Sequence, residues 1–496
     1  MATKVEESFR NWITEQEEHV RLENYREYEN YYYNQVDALQ LLSIKMKDSL
    51  AQELRQTANI CGLVVDTKTE YICGKPLVIQ VTGTDEGNMP DELMAQAERD
   101  LYYIYKRPSN SLLLENASKL VRLMSMKGDG FIKVFFDENI KEDRTRGILP
   151  KVQIRVLNPA YVFPKYKTTD YQELEWVAIK EITVEADGQL KASAQVYYDD
   201  IIQFWEVVQT DKNAETTSWV LREEVTNPYG FIPVIHFKNG ATDLEYEISD
   251  LLNVTDIQDA INKTLTDLLV TADQQAFQRL ALFGAVGAKG MELDTSPASV
   301  LEILDPEARL DVIQPADIAP LLNTLNELKD TALFIAQIPK AAVGQPEGGA
   351  VSGYSLRVQY IPLESKCAVI RESVQIRLGL LNSMIFEILR VHGYTDYTML
   401  EAESLFQNGL PIDDSTVTDN VIKKHSAGLQ SKRTSLEELG IEDVDEELDR
   451  IAGEQMEVAG GMNRIETEAQ LMAQQLTGAA VTATPEARAV EEATMK

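Results

Sequence analysis

The sequence predicts an α+β chain, predominantly helical, on three observations. Between Glu245 and Phe283 there is no proline, and Ile248, Leu251, Leu252, Ile257, Ile261, Leu265, Leu268 and Leu269 recur at helical spacing, the stripe of a long amphipathic helix. Pro320 then opens a second helical run, in which Leu321, Leu325, Leu328, Ala332 and Ile335 step by four, three, four and three until Pro339. Upstream, the short runs Val152–Leu157, Trp176–Val184, Gln195–Tyr198, Ile201–Val208 and Trp219–Val225 predict an antiparallel meander, with Asp187-Gly188 as one of its turns.

The remaining elements follow in chain order. Residues 5–60 are charged, free of proline and helical in pattern, and Tyr25, Tyr28, Tyr31, Tyr32 and Tyr33 read as packing residues. Leu63, Val64 and Val65 lead into a short helix, Gly74 and Pro76 interrupt, and Leu77–Val81 reads as a strand. Residues 90–127 return to helix, and Gly128–Gly130 form a tight turn into a strand, Phe131–Phe136. Residues 284–315 carry glycine, proline and two β-like runs, Ser299–Leu304 and Leu310–Ile313, which predicts a compact insert between the two long helices. A third helix spans about Ser352–Val391, with Ile370, Val374, Leu378, Leu381, Ile385 and Ile388 on one face and a kink expected at Pro362, which removes a backbone donor. Residues 399–413 give a short extended piece, and the chain is helical from 419, with Ser435/Glu438 and Asp443/Glu446 spaced as capping pairs.

Composition excludes several classes of function. The 496 residues suggest roughly three domains at ~150 residues each. With 80 Asp and Glu against 47 Lys and Arg, the net charge of −33 disfavours ordinary nucleic-acid binding, which depends on cations releasing counterions from phosphates, and disfavours an anionic membrane surface. Cys61, Cys73 and Cys367 form no C-x-x-C pair and the four histidines are scattered, so the thiols read as reduced core residues and no metal site is expected. The N-terminus lacks the apolar core of a signal peptide, and no run reaches the ~20 apolar residues of a membrane span. There is no Walker A sequence, no G-x-S-x-G and no H-E-x-x-H, and GAVGAKG at 284–290 spaces its glycines by three, unlike a dinucleotide-binding fingerprint. No catalytic dyad and no cofactor-binding residue is assigned. The segment QPEGGAVSGYSLR, Gln345–Arg357, reads as a flexible connector between helices rather than an anion nest. Residues 437–457, with ten acids and Arg450 as the single base, read as a solvated helical face.

Seven local patterns occur in one order: YENYYYNQVD, ANICGLVVDTKTEYICGKPLVI, KGDGFIKVFFDEN, LNPAYVFPKYK, NPYGFIPVIHFKNG, GGAVSGYSLRVQY and SKRTSLEELGIEDVDEELDRIAGE. In that order the chain resembles the portal proteins of tailed double-stranded DNA bacteriophages, although Asn34 and Gln35 replace the family's usual glycine region after the tyrosines. The resemblance implies a wing at 1–244, a first stem helix at 245–283, a clip at 284–316, a second stem helix at 317–340 and a tunnel loop at 341–353. A kinked tunnel helix returning to the wing at 354–415, an acidic helical crown at 416–475 and a disordered tail at 476–496 complete it. It implies a non-enzymatic ring, of twelve subunits, at one capsid vertex of the virion, assembled in the host cytoplasm. Double-stranded DNA passes through such a ring without sequence readout, and its partners are the terminase packaging motor, major capsid and scaffolding proteins and a head–tail adaptor. Gln345, Glu347, Gly348, Gly349, Ser352 and Gly353 would then face the channel, with Lys329 and Lys340 the nearest cations, unless these lysines pair with carboxylates across a subunit boundary. Leu321, Leu325, Leu328 and Ile335, with Ile261 and Leu265, would form the stem packing. An acidic, helical, oligomeric scaffold that never meets DNA is the alternative, and a magnesium-dependent nuclease is a third class for which no acid cluster has convincing spacing.

Overall fold

The computed structural model describes residues 2–17, 19–35, 56–83, 90–140, 150–168, 170–184, 190–209, 217–240, 242, 244–276, 279–283, 309–313, 317–345, 353–407 and 414–441, with several positions between 444 and 451. Two compact units divide the chain, residues 1–410 and 411–496.

The first unit begins with α1 (Ala2–Glu17) and α2 (Val20–Tyr32), then α3 (Ile60–Cys73), β1 (Val78–Gly83), α4 (Asp91–Lys106) and α5 (Glu115–Lys127). The long helical stretch expected over 90–127 is therefore two helices; Pro108, just past Lys106, cannot supply the backbone donor a continuing helix needs. β2 (Asp129–Phe136) is central in a three-stranded antiparallel sheet between β3 (Val152–Leu157) and β9 (Val234–Lys238), with Phe131 opposite both Leu157 and His236. The meander is a separate five-stranded sheet of β4 (Val162–Lys167), β5 (Asp170–Val184), β6 (Leu190–Tyr197), β7 (Ile201–Gln209) and β8 (Thr217–Thr226), paired in sequence order. Val152–Leu157, expected in the meander, pairs with β2 instead. β4 escapes a pattern reading because Pro164 lies in its middle, which an edge strand tolerates.

α1 covers the meander through an aromatic cluster. Phe9 stacks on Trp205 at 4.3 Å, Trp12 meets Trp176 edge-on at 4.2 Å, and Arg10 Nε donates to the Trp219 carbonyl at 2.6 Å. All four tryptophans of the chain gather here. The larger core lies between α3, α4, α5, the β2 sheet and the long helix α8 (Gly353–Val391), whose predicted face Ile370, Val374, Leu378, Leu381, Ile385 and Ile388 is buried throughout. α8 runs unbroken through Pro362. Tyr28 and Tyr31 belong to this core, Tyr25 is buried and Tyr32 packs partly buried against it, whereas Tyr33, also expected to pack, is exposed; the three free cysteines are buried. Burial pushes the Cys61 and Cys73 thiols up to about 12, which leaves them protonated and unreactive at neutral pH.

β12 (Leu400–Leu405) follows α8 and pairs antiparallel with β1, from Val78 opposite Leu405 to Gly83 opposite Leu400. Asn382, fully buried on α8, accepts the Tyr105 hydroxyl of α4 at 2.5 Å and donates to the Ala402 carbonyl of β12 at 2.9 Å, so α8, α4 and β12 share one polar pin. The second unit holds α9 (Asp414–Ser426) and α10 (Lys432–Glu438). Its cap is Ser431, whose Oγ accepts the Thr434 N–H at 3.2 Å; Ser435 lies inside the helix and donates to the Ser431 carbonyl, so the expected Ser435/Glu438 capping pair does not form. Asp443 and Glu446 lie outside the described residues, as does most of the acidic run.

Gly128 ends α5 in the left-handed region, φ +89°, and a Cβ there would stand 2.1 Å from the Glu247 carbonyl oxygen. Both backbone strain and a backbone clash oppose any side chain. Gly128→Ala is expected to cost about 2 kcal/mol or more, read as a lowered urea midpoint with an unchanged slope.

Candidate functional site

The two long helices expected from the apolar stripes are α6 (Thr255–Ala276) and α7 (Ala319–Ala336). They pack on each other: Ile257, Ile261, Leu265 and Leu268 of α6 meet Leu325, Leu328 and Ala332 of α7. Leu321 is half-buried, whereas Ile335 is 41% exposed and Phe334 beside it 83% exposed, so the α7 stripe points only partly at α6. Gln337 at φ 60° terminates α7 and Pro339 follows.

α6 is shorter than the helix expected over 245–283. At its C-terminal side the apolar Arg279–Phe283 becomes β10, paired with β11 (Arg309–Ile313) so that Arg279 lies opposite Ile313. Only β11 falls where the sequence predicted an insert, over the expected run Leu310–Ile313, while β10 lies in the predicted helix; most of residues 284–316, including Ser299–Leu304, lies outside the described residues. At the N-terminal side, tertiary hydrogen bonds compete with helix. Ser249 Oγ donates to the Met126 carbonyl at 2.6 Å, the Asp250 N–H donates to the Ser125 carbonyl at 3.0 Å, and the Asp250 side chain is committed to a buried cluster.

That cluster anchors the root of α6. Asp250 Oδ2 pairs with Lys68 of α3 and accepts Ser125 Oγ of α5 at 2.6 Å, while Oδ1 pairs with Lys366 of α8 at 2.9 Å. Lys68 Nζ also donates to Asn239 Oδ1, just past β9, at 2.8 Å. The Asp250 and Lys68 side chains are 5% and 3% exposed. Burial alone would raise the carboxyl pKa; Lys68, Lys366 and the hydrogen bonds more than offset it and hold Asp250 at about 2. A second buried carboxylate fixes the sheet edge. Asp129 accepts from Tyr25, from His236 Nε2 at 2.8 Å and from the Glu247 N–H at 3.1 Å, and Tyr166 meets the other His236 nitrogen. Burial holds His236 below its ordinary pKa despite Asp129.

The sequence reading missed a third feature. Gln258, Asn262 and Thr266, four residues apart and all buried, form a polar ladder on α6 beside its apolar stripe. Gln258 Oε1 accepts the Ile60 N–H at 2.7 Å and Asn262 Oδ1 accepts the Ala58 N–H at 3.0 Å, so α6 holds the backbone leading into α3. The i, i+4 repeat of uncharged polar residues was the available signal.

Other expected site residues are placed individually. Lys340 Nζ pairs with Asp330 Oδ2 of α7 at 2.8 Å, within its own chain. Lys329 is half-buried and makes no ion pair among the described residues. Gly344 adopts φ +75°, Gln345 is exposed and its N–H returns to the Lys340 carbonyl at 2.9 Å, and Gly353 begins α8. Glu347, Gly348, Gly349 and Ser352 lie outside the described residues. Among the described residues no group of His, Cys, Asp or Glu is arranged to hold a metal ion, and no helix is long and apolar enough to cross a membrane.

The architecture is α+β: a helix pair rooted on a mixed body, with a β-hairpin between the two helices and a long helix following them. Residues 13–461 match the family described as "Phage portal protein, SPP1 Gp6-like", and the chain belongs to this family of structural proteins. None of the curated proteins matches it. Among solved structures, the neck of an empty GTA particle with C6 symmetry and the neck of a native GTA particle with C12 symmetry each align at 12% identity and a TM-score of 0.44. Both alignments cover 77% of this chain, and 90% and 89% of those chains. The virion of a native gene transfer agent particle aligns at 13% identity and a TM-score of 0.42, covering 79% of this chain and 92% of that one.

Lowering the pH tests the Asp250 anchor. The folded pKa of about 2 lies below the ~3.9 of an unfolded Asp. The stabilisation is therefore complete above about pH 4 and is lost as pH falls from about 4 towards 2, on the order of 2–3 kcal/mol for this one group. Asp250→Asn leaves Lys68 buried without its counter-ion and is expected to cost about 3–5 kcal/mol. In urea titrations across pH 2–6, that variant should show a flatter acid dependence than wild type.

Proposed function

We propose that copies of this chain form the ring at one capsid vertex through which double-stranded DNA is packaged and ejected. The observation that carries this reading is membership of the phage portal family over residues 13–461. The order of elements agrees with it: a helix, a hairpin, a partner helix, a glycine-rich connector and a long helix.

In this reading α6 and α7 stand as the stem, and β10 and β11 lead into a clip that docks the packaging motor and, later, a head–tail adaptor. The body at 1–244 is the wing, and the segment from 416 is the crown. The connector Gln345–Gly353 faces the channel and α8 backs it, bending at Pro362. Twelve subunits, in contact with capsid and scaffolding proteins, complete the vertex. The connector suits a duplex of arbitrary sequence. Glycine lets a backbone approach closely and flex, and Gln345 and Ser352 offer weak phosphate contacts that carry no sequence information. A net charge of −33 limits sticking, because each firm cation–phosphate contact must break as the DNA moves. Lys340, already paired with Asp330, is correspondingly muted. Nothing in this reading requires a cofactor or a catalytic group.

Electron microscopy of the purified chain tests the ring: closed particles with a central hole of duplex width support it, and irregular oligomers count against it. Deleting Gly348–Ala350 is expected to leave ring formation intact and to reduce packaged or retained DNA several-fold. If the deleted chain cannot assemble, the connector has a structural role between subunits instead.

A further inference from the structure

The meander carries a core of its own. One face packs on α1 through Phe163, Trp176, Trp205 and Trp219. The other meets the β2–β9 side through a smaller apolar set, with Val162, Val177 and Ile179 against Phe131, Ile232 and Val234. A sheet with its own core can part from its neighbour as a unit, so the groups that cross this second face set how firmly it is held.

The polar ties at that seam run from basic groups to neutral acceptors. Lys133 of β2 donates to Gln195 Oε1 of β6 at 3.0 Å, and Arg21 Nη1 of α2 donates to the Val162 carbonyl of β4 at 3.3 Å. Arg21 Nε and Nη2 are buried without a hydrogen-bond partner among the described residues. His236 of β9 meets Tyr166 of β4. Asp129, which holds His236, is the one carboxylate hydrogen-bonded to any of these three basic groups among the described residues.

His236 is the tie whose charge can change near neutral pH. A neutral imidazole offers one donor and one acceptor. Nε2–H donates to Asp129 Oδ1 at 2.8 Å, and Nδ1 accepts the Tyr166 hydroxyl. Tyr166 is 7% exposed, and its hydroxyl has no other hydrogen-bond partner among the described residues. A proton added to Nδ1 turns that acceptor into a donor facing the hydroxyl and places a charge at a buried site. Burial opposes this charge most; Asp129 from β2 favours it, and Lys238 on β9 and Arg377 from α8 oppose it. Glu247 and Glu245, before α6, act on Lys238 instead. Tyr246, whose ring centre lies 6.4 Å away, is held as a neutral phenol by burial. His236 and Tyr166 line a cleft of about 1130 Å³ between α8, β9 and the β4–β5 end, which gives a proton a short route to the pair.

We propose that His236 is an acid-sensitive latch: at neutral pH it ties Tyr166 of the meander to Asp129 of β2, and its protonation lets the meander, with α1, part from β2 and β9 while the helical core stays folded. The seam lies within one chain, so the latch stands apart from the ring reading. In the opened state His236 meets water and regains the ~6.5 of an unperturbed His, above its pKa in the closed state. The latch is therefore at full strength above about pH 6.5. It weakens as pH falls from there towards the closed-state pKa, and the opening constant rises by up to about tenfold per pH unit. This window lies well above that of Asp250, so the two acid effects separate.

The full chain tests the latch because all four tryptophans sit in the core shared by α1 and the meander, whereas far-ultraviolet circular dichroism follows mainly the helices. Urea unfolding is followed by both signals at pH 7.5 and pH 5.5. The tryptophan midpoint is expected to fall on acidification while the dichroism midpoint moves less, so that the two curves part. Amide hydrogen exchange, corrected for its intrinsic pH dependence, is expected to rise about tenfold in β4–β8 and to stay level in α5 and α8. His236→Gln keeps a donor for Asp129 but cannot titrate, and should remove both effects. Tyr166→Phe should raise exchange in the meander several-fold at pH 7.5 and flatten its rise at pH 5.5, because no hydroxyl then faces the added proton. Coincident curves at both pH values, or a wild-type pH response in His236→Gln, overturn the proposal. If His236→Gln fails to fold, Tyr166→Phe decides: a rise in exchange as steep as that of wild type sinks the latch.

Discussion

A carboxylate taken out of water is tolerable only where cations and hydrogen-bond donors replace its hydration. At Asp250 the replacements come from three helices that are far apart in sequence: Lys68 on α3, Ser125 on α5 and Lys366 on α8. Asn239 joins through Lys68, which brings the end of β9 to the same point. The residue lies a few positions before α6, so the direction in which that helix leaves the body is set at a place where any loosening would strand a charge. The helix pair above it is held by ordinary apolar contact between Ile261, Leu325 and Ala332. Apolar contact alone permits sliding, whereas the root permits very little.

Asp129 does related work by other means. It has no lysine or arginine partner within ion-pair distance among the described residues, and it is satisfied by a phenol, an imidazole and a backbone N–H. The Glu247 N–H that it accepts belongs to the same segment whose carbonyl crowds Gly128. The turn ending α5, the start of β2 and the approach to α6 are thereby one construction: the glycine makes room, the aspartate fixes the crossing strand, and Asp250 locks the departure. Together with the Gln258, Asn262 and Thr266 ladder, these contacts bind α6 to the body along its lower half by polar groups and to α7 by apolar ones.

Periodicity made the helices legible. The apolar faces of α6, α7 and α8 were visible because burial on one side of a helix leaves a repeat of three and four, and the buried face of α8 matches residue by residue. What periodicity cannot carry is competition from distant partners. Ile248, Leu251 and Leu252 continue the stripe of α6 in sequence, yet Ser249 and Asp250 are claimed by α5 and its neighbours, and the helix begins only at Thr255. Arg279–Phe283 also continued the pattern, and strand pairing with β11 overrode it. Assignment of Val152–Leu157 to the wrong sheet has the same origin, since short strands do not announce their partners. Of the candidate site, the helix pair could be placed, whereas the ion pair of Lys340 with Asp330 of its own chain was not foreseen. The Asp250 cluster could not be placed, because a buried ion pair between residues 68, 250 and 366 leaves no mark on local pattern.

The pairing of β1 with β12 has a consequence for biogenesis. Some 320 residues separate Val78 from Leu405, and the first strand has no partner until the second has left the ribosome. At roughly 5–20 residues per second, that wait lasts on the order of 15–60 s, during which an unpaired strand edge is available to any other nascent chain. Contacts of such long range also slow the last stage of folding. In a cell making many copies at once, the polysome is therefore where wrong pairings between chains would begin, and the acidic character of the chain supplies mutual repulsion at the stage when the edge is open.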